Sequence, residues 1–480
     1  MTITKSDFLL YRDCPLHLWA KKHDHFEENL SAFDKHLIEQ GYEVEKLAVH
    51  FLEQKYSGSD VEILTQQTFS DSDFEARCDV LVFDKTTGMH DLFEIKSSTH
   101  DKDDHLYDIT FQALILQENI QLRNCNLVTI NNQYVRHGDV ELKKLFRITN
   151  VNPIVNELAD EVLELRGLAL SAAESDNPSR LEPCVSPKTC PCLPLCHPDL
   201  PEASIYDMSG MSHDLKWKLR QDGILKITDI PENFPLSHKQ RIQVNVTKSG
   251  KPIIDRDKIR HELEQLVHPL CFFDYETYDP AIPMYEGYKP FQAMVFQYSL
   301  HILETPDGEP KHVECVVDHG GDPGIEIAKH MYEHFPKSGS VIVWYKAFES
   351  SRNKELAAMY PQYRDFLLDL NERMYDLSDI INFGFYVHPD FKGSYSIKNV
   401  LPVMVPELSY KELAIGKGDV AMQAWWEMTH GNAVCHPGKG GGEEPYPGSR
   451  LALHDEIKKN LLTYCGLDTY AMYAIWKKLV

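Results

Sequence analysis

The stretch FEARCDVLVFDKTTGMHDLFEIKSST (residues 74–99) predicts a β-hairpin. A β-branched run, CDVLVFD, is followed by the turn residues TTG and by a second strand-like run, MHDLFEIKSS. Because successive side chains of a strand point to opposite faces, Glu94 and Lys96 share one face. Asp79 begins the partner strand and can approach the same face. The hairpin therefore predicts two carboxylates and an ammonium group at one strand end.

This combination is what metal-dependent cleavage of a phosphodiester needs. The acids hold Mg²⁺, which activates water, and the lysine stabilises the charged transition state. Helical patterns on both sides offer further polar groups, Glu45 in DKHLIEQGYEVEKLAVHFLEQ and Gln112 in YDITFQALILQ. The alternative interpretation is a charged, solvent-facing strand with a chance spacing of these residues.

Together with the helix of Gln112, the pattern resembles the PD-(D/E)XK nucleases of the RecB type. In many members a tyrosine follows the glutamine, and this sequence lacks it. The resemblance implies a restriction-endonuclease-like domain over residues 1–205 and Mg²⁺ or Mn²⁺ as the metal. It also implies catalytic roles for Asp79, Glu94, Lys96 and Gln112, with Asp79 and Glu94 as metal ligands.

Four of the eleven cysteines lie together in CVSPKTCPCLPLC (184–196). The prolines of this run exclude a helix or a central strand, so we expect a rigid loop. In a cytosolic chain, clustered thiols suggest a metal rather than disulfides.

Several RecB-type nucleases carry a [4Fe–4S] cluster held by one cysteine before the nuclease core and three after it. The resemblance implies these ligands here: Cys14, Cys184, Cys190 and Cys196. Cys192 is then a spare or alternative ligand. A zinc ion held by Cys184, Cys190, Cys192 and Cys196 is the alternative, with Cys14 in the core.

A second set of acids lies in residues 266–480. CFFDYETY (271–278) predicts a buried strand with Asp274 and Glu276 on one face. Near the end of the chain, Tyr464 and Asp468 are four residues apart in a helical pattern and share a helical face. Buried carboxylates are costly unless they bind a cation. Chance occurrence of these short spacings is the alternative.

The order of these residues resembles the DEDD exonucleases of the RNase H-like (DnaQ-like) fold, in their tyrosine-containing subgroup. The resemblance implies a mixed five-stranded sheet, metals held by Asp274, Glu276 and Asp468, and a water-positioning role for Tyr464. In VIVWYKAFESSRNKEL (341–356), Glu349 occupies the place of the remaining acid. Asp376 and Asp379 are the alternatives.

Other phrases, FKGSYSIKNVLP, PELSYKELAIGKGDVA and YCGLDTYAM, are similar to the bacterial family catalogued as domain of unknown function 2779. INNQYVRHGDVELKKLF, the cysteine loop and the FFDYET strand share this similarity. It favours a two-nuclease architecture and implies no known substrate.

Residues 206–265 are predicted to form a basic helical connector. Residues 212–260 contain eleven Lys and Arg and six Asp and Glu, a net charge of +5 in a chain of −24. KLRQDGILKITDIP resembles a helix-hairpin-helix phosphate binder, with Gly223 at a helix end. The candidate nucleic-acid-binding residues are Lys216, Trp217, Lys218, Arg220, Lys239 and Arg241. A solvated linker, with Trp217 as a core anchor, is the alternative.

Length and composition bound these interpretations. The 480 residues suit two or three domains with proper cores. A charge of −24 argues against a protein that coats nucleic acid broadly, so binding is expected in grooves. No membrane span or signal peptide is indicated, and we expect a cytoplasmic protein. HPGKGGGEEPYPGS (436–449) predicts a loop with little capacity to pack.

The sequence thus predicts an α/β protein, a metal-dependent nuclease with two hydrolytic centres acting on nucleic acid. Single-stranded DNA is the favoured substrate, and the second centre is expected to remove nucleotides from a 3′ end. Three alternatives stay open. The protein has a single live centre, it is a non-catalytic binder of nucleic-acid ends, or it is an adaptor for a helicase or another repair or defence protein. The choice between DNA and RNA as substrate also stays open, as does the choice between endo- and exonucleolytic cleavage by the first centre.

Overall fold

The computed structural model describes residues 1–26, 30–430 and 447–480. The chain forms two compact units, Met1–Asp199 with Pro280–Gln292 and Leu200–Asp279 with Ala293–Val480. The stretch 206–265, predicted as a connector, falls within the second unit, and the domain boundaries drawn from the sequence stay predictions. Of the predicted loop at 436–449, residues 436–446 lie outside the described residues, and 447–449 begin the last helix.

Within the described part of the first unit, six strands form one mixed sheet. They are β1 (Ile3–Thr4), β2 (Val61–Asp71), β3 (Phe74–Asp84), β4 (Met89–Ile95), β5 (Leu122–Ile130) and β6 (Phe146–Asn150). The order is β1-β3-β4-β5-β6, and β2 pairs with β3 outside this path. β1 runs parallel to β3 and β4 to β5, whereas the other neighbours are antiparallel. The predicted hairpin is confirmed as β3 and β4.

The helices of this unit are α1 (Lys5–Asp13), α2 (Pro15–Lys22), α3 (Ala32–Lys55), α4 (Asp103–Gln117), α5 (Leu142–Leu145), α6 (Asn152–Ala173) and α7 (Leu193–Cys196). The last one corrects the prediction that the cysteine loop contains no helix. Pro194 lies in the first turn of α7, where backbone N–H groups have no acceptor within the helix, so a proline costs no hydrogen bond there.

Both faces of the first sheet are covered, because successive apolar side chains along each strand point to opposite faces. Val80 and Val82 pack in one cluster with α3, and Leu81 and Leu92 pack in another with α4. Asp79 and Glu94 lie two residues from Leu81 and Leu92 along their strands. They therefore extend the α4 face, where the apolar surface of the sheet gives way to polar groups.

The strands of the second unit are β7 (Ile253–Ile254), β8 (Leu270–Tyr278), β9 (Met294–Leu303), β10 (Lys311–Val316), β11 (Ser340–Val343), β12 (Met374–Asp376) and β13 (Tyr386–Val387). Among the described residues, five of them form a mixed sheet in the order β10-β9-β8-β11-β12, and β7 pairs with β13. β8, β11 and β12 are parallel, and β9 and β10 are antiparallel to their neighbours. The α/β class and the mixed five-stranded sheet are thereby confirmed.

Its helices are α8 (His213–Gln221), α9 (His238–Ser249), α10 (Arg256–Leu263), α11 (Pro323–His334), α12 (Lys346–Met359), α13 (Arg364–Glu372), α14 (Asp379–Asn382), α15 (Ile397–Met404), α16 (Gly418–His430) and α17 (Pro447–Leu479). Phe272 packs with residues of α15 and α17, and Phe273 packs with α11 on the opposite face of the sheet. Asp274 and Glu276 follow Phe272 at alternate positions, which directs them to the face of α17. Among the described helices, none is long and apolar enough to cross a bilayer.

Candidate functional site

The first carboxylate cluster consists of Asp79 on β3, Glu94 on β4 and Asp108 on α4. Glu94 and Asp108 are each 1% exposed. The Asp79 Oδ2 accepts a hydrogen bond of 2.8 Å from the backbone N–H of Ile95, which fixes the carboxylate against the neighbouring strand. The hairpin thus brings Asp79 and Glu94 together, as the sequence predicted.

Two lysines neutralise this cluster. The Lys96 Nζ donates to Glu94 Oε1 at 2.8 Å and also to Asp108. The Lys5 Nζ donates to the same Glu94 oxygen at 2.9 Å. Lys5 opens α1, whose direction is set by a capping box between Thr4 and the residue three positions on.

Gln112 completes the first cluster from α4. Its Nε2 donates to Glu94 Oε2 at 2.8 Å and to Asp108 Oδ1 at 2.9 Å. Its Oε1 is buried and has no hydrogen-bond partner within the described ranges. Glu45 accepts a hydrogen bond of 2.5 Å from the side chain of Gln66, which lies on β2 between the residues that pair with Cys78 and Val80.

The charges of this cluster shift the pKa values of its members in opposite directions. Burial and the neighbouring Glu94 raise the pKa of Asp79 to about 7. Burial acts in the same direction on Glu94, but the ammonium groups of Lys96 and Lys5 outweigh it and hold its pKa below the usual range. Glu94 is therefore a stable carboxylate.

Lys5 and Asp108 are members of this site that the sequence reasoning missed. Asp108 precedes Gln112 by four residues and shares its helical face, which is a signal available in the sequence. Lys5 lies 89 residues before Glu94 in the chain and is brought to it only by the tertiary fold.

The second carboxylate cluster consists of Asp274 and Glu276 on β8, Glu349 on α12 and Asp468 on α17. Glu349 is 1% exposed, and Glu276 and Asp468 are each 7% exposed. Asp274 and Glu349 share a hydrogen bond between their carboxyl groups. The second oxygen of Glu349, Oε2, is buried without a hydrogen-bond partner among the described residues.

The three candidates for the fourth acid occupy different places. Glu349 lies against Asp274, whereas Asp376 accepts hydrogen bonds from the backbone N–H groups of Tyr345 and Lys346 at 3.1 and 2.7 Å. Asp376 therefore caps the start of α12 and also accepts from Ser378. Burial and the charge of Asp376 raise the pKa of Asp379, which lies at the start of α14.

Two tyrosines and a lysine border the second cluster. Tyr464 is hydrogen-bonded to Asp468, and the Tyr410 hydroxyl donates to Asp468 Oδ1 at 2.5 Å. The Lys398 Nζ lies 3.3 Å from the Tyr464 hydroxyl. Sequence reasoning predicted Tyr464 but not Tyr410 or Lys398, although both fall in phrases that carry the family resemblance.

The acids of the second cluster are poorly neutralised. Burial and the charge of Asp468 raise the pKa of Asp274 to about 8. Burial raises the pKa of Asp468 to about 6 against the opposing effect of the Tyr410 hydrogen bond. Burial and the charge of Asp274 raise the pKa values of Glu276 and Glu349 well above their usual range. A bound cation would relieve this repulsion.

One atom each from Asp274, Glu276 and Cys465 lies within 4.8 Å of the other two, an arrangement that could hold a metal ion. Oxygen donors suit Mg²⁺ and Mn²⁺. The buried, unpartnered Glu349 oxygen adds a further donor, so the second cluster fits the metals that the sequence implies.

The thiols of the cysteine loop pack against residues of α2. Cys14, Cys184, Cys192 and Cys196 are buried in one cluster with the half-buried Cys190. Ligand atoms of His17, Cys184, Cys190 and Cys196 all lie within 4.8 Å of one another.

Contacts within this loop separate the predicted ligands from the spare thiol. The hydrogen bond with Cys184 and burial raise the pKa of Cys14 to about 12, against the opposing effect of the hydrogen bond with Cys196. Cys192 is directed to the backbone oxygen of His25 at 4.0 Å. His17, whose Nε2 is 3.3 Å from the Cys190 sulfur, was not predicted as a ligand, although it follows Cys14 by one helical turn.

The predicted nucleic-acid-binding residues lie on α8 and α9. Gly223 has a φ of 73° just after α8, as expected for the predicted helix end. Arg220 donates to the Tyr206 hydroxyl, Lys239 to Asn382, and Arg241 to the backbone oxygens of Glu232 and Phe234.

The hydrogen bonds of these three side chains therefore stabilise the local structure around α8 and α9. The remaining candidates lie along α8, where Lys216 and Trp217 are half-buried and Lys218 is exposed.

Fold and sites define a mixed α/β protein with two buried carboxylate clusters and a cysteine-rich loop. Residues 271–396 match the family described as Domain of unknown function (DUF2779), which confirms the predicted family resemblance over these residues. This range contains Asp274, Glu276, Glu349 and Asp376.

The curated relatives are uncharacterized proteins. UU173 of Ureaplasma parvum is 33% identical over 168 residues, which is 31% of this chain and 24% of that protein. The MG366 homolog of Mycoplasma pneumoniae is 27% identical over 192 residues, 36% of this chain and 29% of the relative. MG366 of Mycoplasma genitalium is 24% identical over 184 residues, 35% of this chain and 28% of the relative.

The chain thus spans less than a third of the length of these relatives. No solved structure matches it.

Proposed function

We propose that the protein is a metal-dependent nuclease with two hydrolytic centres, one at each carboxylate cluster. The observation that carries the proposal is that each compact unit holds its own cluster of buried acids at the edge of an apolar core. Buried carboxylates in excess of their cationic partners are costly, and both clusters contain more acids than lysines, which points to a retained chemical use.

In the first centre the PD-(D/E)XK assignment is supported by the contacts of Asp79, Glu94, Lys96 and Gln112. Lys96 would stabilise negative charge on the phosphate while its bonds to Glu94 and Asp108 hold it in place. Gln112 orients both of those carboxylates. The two acids, the lysine and the glutamine of the family pattern thus lie close together.

In the second centre the RNase H-like assignment is supported by the mixed sheet order and by the position of Glu349 beside Asp274. Asp274, Glu276, Glu349 and Asp468 would hold Mg²⁺ or Mn²⁺. When bound there, the metal would supply an activated water and neutralise charge on the leaving oxygen. Tyr464 would orient the attacking water.

The cysteine loop is proposed to hold a [4Fe–4S] cluster through Cys14, Cys184, Cys190 and Cys196. A zinc ion is the competing assignment, and it is favoured by the compact set that includes His17. Brown protein with broad visible absorption and iron on metal analysis, lost in Cys184→Ala and kept in the control Cys315→Ala, would support the cluster. Colourless protein containing one zinc would contradict it.

Single-stranded DNA is the proposed substrate, because a flexible strand can bring its backbone to recessed acids. Cytoplasmic location and a helicase or another repair or defence protein as partner belong to the same proposal. A non-catalytic binder would bind such strands without degrading them, and an adaptor would bind a protein partner instead.

The test is degradation of end-labelled single-stranded DNA and RNA with Mg²⁺ or Mn²⁺ by wild type, Lys96→Ala, Asp274→Ala and the double variant. Each single variant should remove one pattern of products, and the double variant should be inactive. Lys85→Ala and Asp307→Ala, which change exposed groups of the same kinds, serve as controls.

If both single variants degrade the strands as wild type does, the site assignments are wrong. If Lys96→Ala alone abolishes all degradation, the second cluster is not a hydrolytic centre.

A further inference from the structure

Lys398 is placed to control the hydroxyl group of Tyr464. It is the second residue of α15, is half-buried, and its Nζ lies 3.3 Å from the Tyr464 hydroxyl oxygen. The ammonium group lies 5.4 Å from the ring centroid of Tyr464 and 5.8 Å from that of Tyr410. Two aromatic rings and a hydroxyl group therefore surround one cation.

The hydrogen-bond direction follows from the chemistry of these groups. An ammonium group has donors and no acceptor, so the Tyr464 oxygen must accept from Lys398. The Tyr464 O–H must then donate elsewhere, and Asp468 is its partner. A remaining lone pair of the Tyr464 oxygen is left to accept a hydrogen bond from water.

Tyr410 secures the other side of this arrangement. Its hydroxyl donates to Asp468 Oδ1 at 2.5 Å, so Asp468 receives hydrogen bonds from both phenols. The charge of Lys398 also acts on the acids of the second cluster and opposes the mutual repulsion of Asp274 and Asp468. Lys398 is thus coupled to the acids through Tyr464 and through space.

We propose that Lys398 is a positioning residue of the second centre, which fixes the Tyr464 hydroxyl so that its oxygen can hold the attacking water. This inference rests on the proposed function of the second cluster. It deepens that function by assigning a role to a residue outside the acid-and-tyrosine pattern.

A double-mutant cycle in the Lys96→Ala background tests the role of Lys398, because that background isolates the second centre. Lys398→Met and Tyr464→Phe should each lower kcat by about 10- to 100-fold, with KM nearly unchanged. The double variant should be no slower than the slower single variant, since both changes remove the same oriented hydroxyl group. Lys398→Arg keeps a donor and a charge and should recover most of the activity.

Lys392→Met is the matched control, because Lys392 lies six residues earlier and its side chain is 51% exposed. It should retain the activity of the background. Binding of Mn²⁺, followed by electron paramagnetic resonance, should survive in Lys398→Met, which shows that the acid cluster is still folded.

If the fold-losses in kcat of the two single variants multiply in the double variant, or if KM rises without a fall in kcat, the role of Lys398 is wrong. The proposed function of the second centre is unaffected by either result. A background protein that degrades none of the strands would overturn the proposed function and this inference with it.

Discussion

The two carboxylate clusters differ in how the protein neutralises them. In the first cluster, three acids face two lysines, and Lys5 and Lys96 both bond directly to Glu94. In the second cluster, four acids have Lys398 beside them, and its hydrogen bond goes to a phenol rather than to a carboxylate. The pKa values follow this difference at one residue: that of Glu94 is lowered, whereas those of Asp79 and Asp108 and of all four acids in the second cluster are raised.

Similar sets of acids can therefore have opposite effects on folding. The first cluster is an internal salt-bridge network, and removing Glu94 takes from both lysines the carboxylate that they share. The acids of the second cluster have raised pKa values, so without metal they retain protons that a bound cation would replace. We therefore expect the first cluster to stabilise the protein by itself and the second to depend on metal.

The largest expected effect is the loss of stability in Glu94→Gln. The change leaves Lys5 and Lys96 without their shared carboxylate and should lower the free energy of unfolding by about 3 kcal/mol. Denaturant unfolding of metal-free protein measures it. Glu62→Gln, which removes an exposed β2 carboxylate 3.8 Å from Lys85, should change stability by less than about 0.5 kcal/mol. Equal effects of the two substitutions would contradict an internally balanced first cluster.

The next effect is stabilisation by divalent cations. Mn²⁺ at about 100 times its dissociation constant should stabilise the protein by about 2.7 kcal/mol through the second cluster. Thermal unfolding with and without Mn²⁺ measures the shift. Asp274→Asn should abolish most of the shift, whereas Asp79→Asn should retain most of it. The reverse result would show that the first cluster is the one that depends on metal.

Much of the fold could be predicted from local sequence. The hairpin of β3 and β4, the buried strand β8 and the helix carrying Asp468 each have a clear period of apolar residues, and the structure contains them. Such elements are set by neighbouring residues, and so are side chains that share a face, such as Glu94 with Lys96. The strand order that places β8 between β9 and β11 is not encoded in any one segment, and the family resemblance implied only a mixed five-stranded sheet.

The residues that sequence reasoning missed are those brought in by tertiary contacts. Lys5 and Lys398 have no local pattern that marks them, because their partners lie 89 and 66 residues away. His17 was overlooked for another reason, since a histidine in an amphipathic helix is ordinary until the cysteine loop packs against it. Glu349 was found because its segment resembles a known motif despite the change of residue.

A smaller effect, of opposite sign to that of Glu94→Gln, is expected for Glu349→Gln. The fold holds Glu349 protonated whereas the unfolded chain ionises it, so a permanently neutral glutamine avoids the cost of protonation and should raise the stability of metal-free protein by about 1 kcal/mol. The same variant should bind Mn²⁺ more weakly. Glu372→Gln, an exposed change on α13, is the control for a general charge effect. If Glu349→Gln destabilises the metal-free protein, the carboxylate is already neutralised and the comparison fails.

The last expected effect is a dependence of stability on pH that runs against ordinary acid denaturation. The pKa values of Asp274 and Asp468 are raised from 3.8 to about 8 and about 6, so the folded state retains protons that the unfolded chain releases. Between pH about 4 and about 8, these groups make stability fall as pH rises. Metal-free wild type should therefore gain about 5 °C in Tm, relative to Asp274→Asn, when the pH is lowered from 8.5 to 6. Comparing the two proteins removes the contribution of histidines common to both, and saturating Mn²⁺ should abolish the difference because a bound cation keeps both carboxylates ionised. An equal response of the two metal-free proteins to pH would mean that the second cluster is neutralised within the fold, as the first one is.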